Sequence, residues 1–474
     1  PGASVWGINA VNGVINIITR SARDTQGGLF TAIGGSEDRG GGALRYGGVL
    51  HQGAAYRVYA KYFTRSAFQR EGGGEAADGW DAFRTGFRID ASASGRDALT
   101  IQGDAYRGRS GNTITELSLS PPYETPADID EAVAGAHVLG RWSRTTSPTS
   151  GLSLQAYLDT YDRQSDLLGE RRVTYDADFQ HHFAPGRNHQ LIWGAQSRRA
   201  AGRTNDTFKM AFTPDHHADN YFAAFVEDLV NLADGRWHLT LGSKFEYNDH
   251  IGLEIEPTAR VVVRLGERSA AWAAYSHAAR SPSVTERHAR VNLAAFPTGG
   301  QAALVSEFGD HGLTEEEVHS YESGYRAQAS DAVSFDVAAF YNDYHNLRTA
   351  ESEAPFLEAS PSPDHLVIPL RLANKARGHS SGAEVACNWR VTDHWKLGGW
   401  YAFLKVDLDL DGTSTAASLP EADAPKHVAY LRSSLELPRS LFLETSLHFV
   451  DRLPIQDVPG YLRADLRLGW RPTS

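Results

Sequence analysis

The strongest constraint on the fold is an alternation of apolar and polar residues over eight to twelve positions, repeated along the chain and followed each time by turn residues. The segment Trp237–Asn248 is the clearest case. Leu241 and Phe245 fall on one side of the alternation, and Lys244 and Glu246 fall on the other. Because successive side chains of a strand point to opposite faces, the segment predicts a strand with one apolar and one polar face.

About 20 such segments follow one another from near Gly28 to near Arg471, and the connections between them alternate in length. The short connections lie around Gly53 and at 92–96, 185–188, 233–235, 330–331 and 437–439. The long ones lie at 67–79, 110–130, 202–217, 281–316, 346–371 and 408–423. Bacterial outer-membrane barrels have short turns at one end and longer loops at the other. The pattern therefore predicts an all-β fold, a transmembrane antiparallel β-barrel.

A soluble β-propeller is the main alternative to a membrane barrel, since its blades also consist of short strands. A propeller repeats about every 40 to 50 residues, with a signature in each blade, and the sequence has no such repeat. Regular charged rows such as Arg463, Asp465 and Arg467 also fit poorly in strands that are buried on both faces. The barrel is therefore favoured over the propeller.

Composition excludes several other classes of protein. The formal net charge of -12 argues against a nucleic-acid-binding protein, which needs a basic face for phosphates. Cys387 is the single cysteine, so no internal disulfide can form. No apolar run approaches the roughly 18 residues of a spanning helix. No set of Ser, His and Asp residues stands out as a catalytic constellation, the sequence has no His-Glu-x-x-His motif, and no enzymatic activity is expected.

The first twenty residues differ in kind from the rest of the chain. They read PGASVWGINAVNGVINIITR, and the β-branched run after Gly13 predicts a turn that leads into a short buried strand. The same stretch resembles the end of the plug domain of TonB-dependent receptors, where a Tyr/Trp-Gly-x-x-Ala-x-x-Gly-Val-Ile-Asn-Ile-Ile-Thr-Lys sequence leads into the barrel. The corresponding positions here are Trp6, Gly7, Ala10 and Gly13–Arg20, with Arg20 in place of the commoner Lys.

Further stretches resemble the same family over nearly the whole chain. They are Asn220–Arg264, Trp272–Arg287, Leu313–Asn346 and Ala376–Trp389. The resemblance implies a 22-stranded barrel whose lumen holds a plug. By the same resemblance, residues 1–22 are expected to be a C-terminal remnant of the plug, and residues 23–474 an incomplete barrel. The energy-coupling segment, the TonB box, and the last two strands are expected to lie outside the chain.

The resemblance also implies a function: TonB-energised uptake of a bulky nutrient, above all a ferric siderophore, with cobalamin the weaker candidate. The implied partners are the TonB–ExbB–ExbD complex, outer-membrane lipids with lipopolysaccharide, and the ligand itself. The protein is expected to be a monomer in the outer membrane of a Gram-negative bacterium. A passive porin-type channel is the alternative, and the plug-like start of the chain argues against it. No cofactor is expected, because the turns typical of haem receptors are not intact.

Ligand contacts are expected in the long loops, where cationic and imidazole groups would face the mouth of the barrel and attract an anionic ligand. The candidate residues are Arg280, Arg287, His288, Arg290, His311, His216 and His217. A solvated loop of mixed charge is the other interpretation, because Glu286, Glu307 and Asp310 lie nearby.

The residues Asp407, Asp409 and Asp411, followed by Gly412, have the spacing that begins a calcium loop. Position twelve of such a loop falls on Ser418, so the bidentate Glu is lacking. The alternative is a strand that runs into a turn with its carboxylates on the polar face. We favour this alternative and expect no metal site here.

Overall fold

The computed structural model describes residues 7–11, 13–51, 53–70, 72–92, 94–416 and 424–471. Within these ranges the helical elements are a 3-10 turn at Ala22–Thr25 and an α-helix at Val284–His288. The strands are β1 Gly27–Ile33, β2 Gly40–His51, β3 Ala54–Arg65, β4 Trp80–Ser92, β5 Asp97–Leu117, β6 Glu124–Ser147, β7 Ser150–Gln164, β8 Gly169–Phe183, β9 His189–Asn205, β10 Met210–Phe212, β11 His216–Leu232, β12 Trp237–Asn248, β13 Gly252–Arg264, β14 Ser269–Arg280, β15 Ala289–Thr298, β16 Gln301–Phe308, β17 Glu316–Gln328, β18 Val333–Ser352, β19 Phe356–Glu358, β20 His365–Thr392, β21 Trp395–Leu410, β22 His427–Leu437, β23 Leu441–Val450 and β24 Tyr461–Trp470.

Twenty of the 24 strands form one antiparallel meander, in which each strand pairs with the next along the chain. The other four, β10, β15, β16 and β19, lie inside the long connections. Within the described ranges, β1 pairs only with β2, and β24 only with β23. The all-β antiparallel prediction and the estimate of about 20 strands are both confirmed.

The two faces of β12 show why the alternation fits a barrel wall. Phe245 and Tyr247 are 41% and 47% exposed, whereas Lys244 and Glu246 are 3% and 1% exposed. Apolar side chains thus lie on the outer surface and the charged ones are buried on the lumen side. This inside-out arrangement suits a wall that faces lipid outside and a polar interior inside.

The connections differ in length between the two ends of the barrel, as predicted, and we name these the short-turn end and the long-loop end. At the long-loop end the strands continue further than the sequence predicts. The predicted connection 110–130 shrinks to 118–123, because β5 and β6 stay paired up to Leu117 and Glu124. Where a strand extends beyond the lipid layer, both of its faces meet water, and the alternation that marks a strand is lost.

The connections 281–316 and 346–371 are also more ordered than predicted. They contain β15, β16 and β19, and the first residues of β20 pair in parallel with β16. Leu304 and Val367 are completely buried in this small sheet. These strands pack with Leu119 of the neighbouring loop, so part of the long-loop end is a folded layer.

Glycines of the wall repeatedly lie beneath an aromatic ring of a neighbouring strand. The pairs are Gly48 with Tyr56, Gly86 with Tyr59, Gly135 with Tyr106, Gly194 with Phe225, Gly324 with Trp272, Gly382 with Phe340 and Gly469 with Phe442. An aromatic ring that covers a strand glycine shields the backbone and fixes the register of pairing.

Replacing Gly382 by valine should therefore destabilise the barrel. A Cβ atom there would lie 2.5 Å from Cζ of Phe340 and would also meet the carbonyl of Phe403. Overpacking of this kind costs about 1–3 kcal/mol. The matched control is Gly140→Val, because a Cβ at Gly140 meets nothing within 4 Å. The temperature at which the detergent-solubilised barrel loses its compact gel band should fall for Gly382→Val only, and equal shifts would contradict the steric argument.

Candidate functional site

The barrel lumen holds a cavity of about 1340 Å³ that is bounded by the wall and by the N-terminal segment, residues 7–11 and 13–19. Its lining is rich in hydrogen-bonding groups. The cations are Arg88, Arg141, Arg172, Arg198, Lys244 and Arg280, the carboxylates Asp176, Asp178 and Asp219, and the amides include Gln102, Gln155, Gln180 and Gln196. Such a lining suits a large polar ligand that carries negative charge.

Most of these cations are held in place by carboxylates of the wall. Arg198 lies 2.9 Å from Asp176, and Arg88 binds both oxygens of Asp90 at 2.8 and 3.0 Å. Arg141, by contrast, is exposed to the cavity and forms no ion pair within 4.0 Å in the part of the chain that the structure describes. Arg141 is therefore the cation most available to a ligand.

The N-terminal segment crosses the lumen and is bound to the wall. The backbone N–H of Asn9 donates to the carbonyl of Ala279 at 2.8 Å, and the Asn9 side chain accepts from the N–H of Ser281 at 3.1 Å. A turn closes at Gly7, whose carbonyl accepts from Ala10 N–H. Gly7 has a φ of +82°, and a Cβ there would collide with Glu246. The turn thus depends on glycine at this position.

The predicted short buried strand after Gly13 is wrong. Residues 14–20 are exposed and have no regular secondary structure, with Ile15 and Ile18 91% and 84% exposed. No described strand pairs with this stretch, and β-branched residues alone do not make a strand without a partner. Trp6 of the same motif lies outside the described residues.

Three histidines meet at the mouth of the cavity. The rings of His288 and His311 are 4.5 Å apart, and those of His288 and His250 are 6.4 Å apart. His250 Nε2 lies 2.7 Å from Asp219, which lines the cavity. Burial lowers the pKa of His288, and the neighbouring His311 lowers it further, which favours the neutral imidazole. The structure thus brings together two of the predicted residues, and adds His250, which the sequence analysis missed.

Arg280 also borders the cavity, but its guanidinium holds the chain at the elbow 281–288. Its Nη1 and Nη2 each donate to Glu286 at 3.0 Å, and its Nε donates to Glu316. Glu286 also accepts from Arg348 at 3.0 Å and closes a capping box with Ser283. Although burial acts to raise it, the hydrogen bonds from Arg280 and Ser283 lower the pKa of Glu286 to about 2.

The other two predicted arginines are held within the long loops. Arg287 is 9% exposed and donates to the carbonyl of Leu313. Arg290 binds Glu358 through two hydrogen bonds of 2.8 and 2.7 Å, and these hydrogen bonds keep the pKa of Glu358 below its usual range. Ligand contact by either arginine stays a prediction, and in this structure both stabilise the long connections at the long-loop end.

His216 and His217 begin β11 and form no ring contact with the three histidines at the mouth among the described residues. His216 is exposed beside Asp215, with 2.9 Å between Nδ1 and a carboxylate oxygen, and His217 packs against Gly202. Their ligand role also stays a prediction.

The three aspartates of the calcium-like motif do not converge. Asp407 and Asp409 lie in β21, where alternate residues are about 6.6–6.8 Å apart along the strand. Asp407 pairs with Lys405 at 2.6 Å, and Asp411 accepts from Thr413 N–H in the following turn. Ser418 lies outside the described residues. The strand-and-turn alternative describes their placement.

The cavity cations of the wall were not singled out by sequence reasoning, although a signal for them exists. The strands that carry Arg141, Arg198 and Lys244 alternate between apolar and polar residues. These three cations fall on the polar positions, which assigns them to the lumen. The alternation does not show which of the many lumen residues lie at the same level along the barrel axis, because that level depends on the stagger of the strands.

No helix among the described residues is long and apolar enough to cross a membrane. The chain matches the family model "TonB dependent receptor-like, beta-barrel" over residues 14–474. No curated protein matches the chain.

Several solved structures share the fold. The siderophore receptor PirA from Pseudomonas aeruginosa has a TM-score of 0.73 at 13% identity, covering 100% of this chain and 79% of PirA. The ferric enterobactin receptor PfeA of the same organism has a TM-score of 0.72 at 16% identity, and the match covers 100% of this chain and 77% of PfeA. The FrpB iron transporter from Neisseria meningitidis has a TM-score of 0.75 at 13% identity, and the match covers 99% of this chain and 79% of FrpB. Since the family model spans nearly all of the sequence, the chain belongs to the TonB-dependent receptors, transporters of the Gram-negative outer membrane.

Proposed function

We propose that this protein takes up a ferric siderophore across the outer membrane, and that the TonB–ExbB–ExbD complex supplies the energy. Family membership implies the partnership with TonB. In the proposal, the protein is a monomer surrounded by lipid and lipopolysaccharide. The long-loop end lies outside the cell and captures the ligand, and the short-turn end faces the periplasm.

The observation that carries the proposal is the lumen cavity with its many amides and with Arg141, which is exposed and has no ion pair within 4.0 Å among the described residues. Ferric siderophores are bulky, and many carry negative charge, so a cavity of about 1340 Å³ with cationic walls fits their size and sign. The similar solved structures include receptors described as siderophore and ferric enterobactin receptors, which favours this ligand class over cobalamin.

The passive porin-type channel remains the competing function. A porin has an open aqueous lumen. Against it stands the N-terminal segment, which lies in the lumen and is bound to the wall through Asn9 and Ala279. A lumen that is partly filled needs work to open, and TonB would supply that work.

Growth rescue tests the proposal. The native gene product is expressed in a strain without other receptors, and the cells are fed single ferric siderophores or cobalamin, with and without TonB. We expect rescue by at least one siderophore and none without TonB. Uptake that is unchanged without TonB would favour the porin, and rescue by cobalamin alone would refute the siderophore but not active transport.

A substitution in the cavity tests the site itself. Arg141→Ala should weaken siderophore binding by about ten- to 100-fold, since a hydrogen bond to a charged group contributes about 1.5–3 kcal/mol and 1.4 kcal/mol is tenfold. The matched control is Arg187→Ala, because Arg187 is exposed in a turn at the short-turn end. Equal siderophore affinities for the two variants would show that Arg141 does not contribute to binding.

A further inference from the structure

A row of titratable side chains crosses the outer wall near the long-loop end. Strand pairing places His277, His319, Asp343, His379 and Asp407 directly beside one another on β14, β17, β18, β20 and β21. The neighbouring row, nearer the middle of the wall, contains Tyr275, Tyr321 and Tyr341. Tyr321 and Tyr341 are 52% and 45% exposed, whereas Ala278, at the alternate position, packs with Val11 inside the lumen. The row therefore lies on the outer surface.

One part of this row gathers three possible metal ligands. One atom each of His277, Glu317 and His319 lies within 4.8 Å of the other two. The rings of His277 and His319 are stacked, with centroids 4.7 Å apart, and His277 Nε2 lies 4.0 Å from Glu317. In the described part of the chain, no other group of three His, Cys, Asp or Glu residues is so close.

The hydrogen bonding of His277 leaves one nitrogen without a partner. Its Nδ1 lies 3.0 Å from the carbonyl of Ile255, which can only accept, so Nδ1 carries the proton. Nε2 then presents a lone pair, and it is buried with no hydrogen-bond partner among the described residues. His277 as a whole is 8% exposed. A buried polar atom without a partner is costly, and a bound cation would satisfy it.

The surroundings of His277 explain why the site can exist there. The backbone pairing of β13 with β14 ends at Thr258 and Ser276, and beyond it Ala279 N–H donates to the Glu256 side chain. The carbonyl of Ile255 is thereby free to hold the imidazole. A carbonyl that accepts from the far nitrogen of a histidine is the usual support of a metal ligand.

His319 is supported in the same way. Its Nδ1 lies 3.0 Å from the Tyr275 hydroxyl, whose oxygen can accept a hydrogen bond from Nδ1–H and leave Nε2 for a metal. The other charged or titratable groups that face the cluster are Glu254, whose carboxylate is 3.7 Å from His277 Nδ1, and His345, whose ring is 5.8 Å from His319. His345 in turn lies 3.3 Å from Asp343.

We propose that His277, Glu317 and His319 bind a divalent transition-metal ion of the zinc class on the outer wall. Two imidazoles and one carboxylate form a ligand set that zinc prefers, and three protein ligands leave a fourth position for water. The three ligand atoms lie within 4.8 Å of one another, and zinc binding would draw them to Zn–N and Zn–O distances of about 2.0–2.2 Å and turn the two stacked rings towards the ion. The site is independent of the proposed uptake, since it lies outside the lumen.

Metal binding to the detergent-purified, chelator-stripped protein tests the proposal, with Zn²⁺ alone as the probe in equilibrium dialysis. We expect one tightly bound ion per chain. Glu317→Gln and His319→Gln should each weaken binding roughly 100-fold, and Tyr275→Phe about tenfold, as for changes in groups that support a ligand. The matched control is His379→Gln, in the same row but paired with Asp407 at 3.2 Å, and it should bind as the native protein does.

A second readout excludes a purely structural effect of these substitutions. Co²⁺ in place of Zn²⁺ should give the visible absorption of a four-coordinate site in the native protein, and that absorption should be lost in Glu317→Gln while the compact gel band is kept. The proposal is overturned by three results: no Zn²⁺ binding, equal binding by the triad variants and His379→Gln, or full displacement of Zn²⁺ by equimolar Ca²⁺, which prefers all-oxygen ligands.

Discussion

Replacing Glu246 by alanine should loosen the attachment of residues 7–11 to the barrel wall and destabilise the barrel by about 3–5 kcal/mol, the loss measured when one partner leaves a buried ion pair. Glu246 lies 2.9 Å from Lys244, with side chains 1% and 4% exposed. Its carboxylate also accepts from the N–H of Ile8 and from the Tyr221 hydroxyl. The alanine variant leaves a buried ammonium group without a counter-charge and removes the acceptor of the Ile8 N–H, so that the Asn9 hydrogen bonds are left to hold the segment.

Two measurements check this expectation: guanidinium unfolding in detergent, and deuterium uptake by residues 7–11. The double variant Lys244→Met with Glu246→Leu should recover much of the lost stability, because apolar residues of similar volume can replace a buried pair. It should not recover protection of residues 7–11, since Ile8 still lacks its acceptor. Glu444→Ala is the control in a more exposed ion pair, because Glu444 pairs with Arg432 at 2.6 Å and their side chains are 26% and 50% exposed. If it shifts the unfolding midpoint as far as Glu246→Ala does, burial is not the cause.

Glu286→Gln should open the elbow 281–288. The charged acceptor of Arg280, Arg348 and the Ser283 N–H is lost, and a hydrogen bond to a charged group contributes about 1.5–3 kcal/mol. A spin label at Thr285, exposed in the short helix, reports this motion by electron paramagnetic resonance. Cys387 is the only cysteine, so Thr285→Cys with Cys387→Ser places a single label.

Acidification should also open the elbow 281–288, because it protonates the Glu286 carboxylate. The folded protein holds the pKa of Glu286 at about 2, below the ordinary 4.5. A carboxyl with a depressed pKa contributes stability that is fully present above its unfolded pKa and is lost as pH falls through the folded value. Label mobility should therefore rise between about pH 4.5 and 2 in the native protein and stay high throughout in Glu286→Gln. A native label whose mobility is constant over this range would contradict the assignment.

Some features of the fold follow from local sequence, because a strand that spans lipid must alternate. The segment Trp237–Asn248 shows this: its apolar row is exposed and its charged row is buried, as the alternation predicts. The extension of β5 to Leu117 and the strands within 281–316 were not predicted, since strands surrounded by water lack that pattern. The run after Gly13 shows the converse, with strand-forming residues but no partner.

The sequence by itself determined the antiparallel barrel, its two unlike ends and, through its motifs, the receptor family. Only the tertiary structure decided which side chains meet. Arg280, predicted as a ligand contact, holds Glu286 and Glu316, while His277 and His319 come together across the intervening loop because β14 pairs with β17. The physical reason is that alternation fixes the face on which a side chain lies, whereas its neighbours depend on strand register and stagger, which are set by the whole sheet.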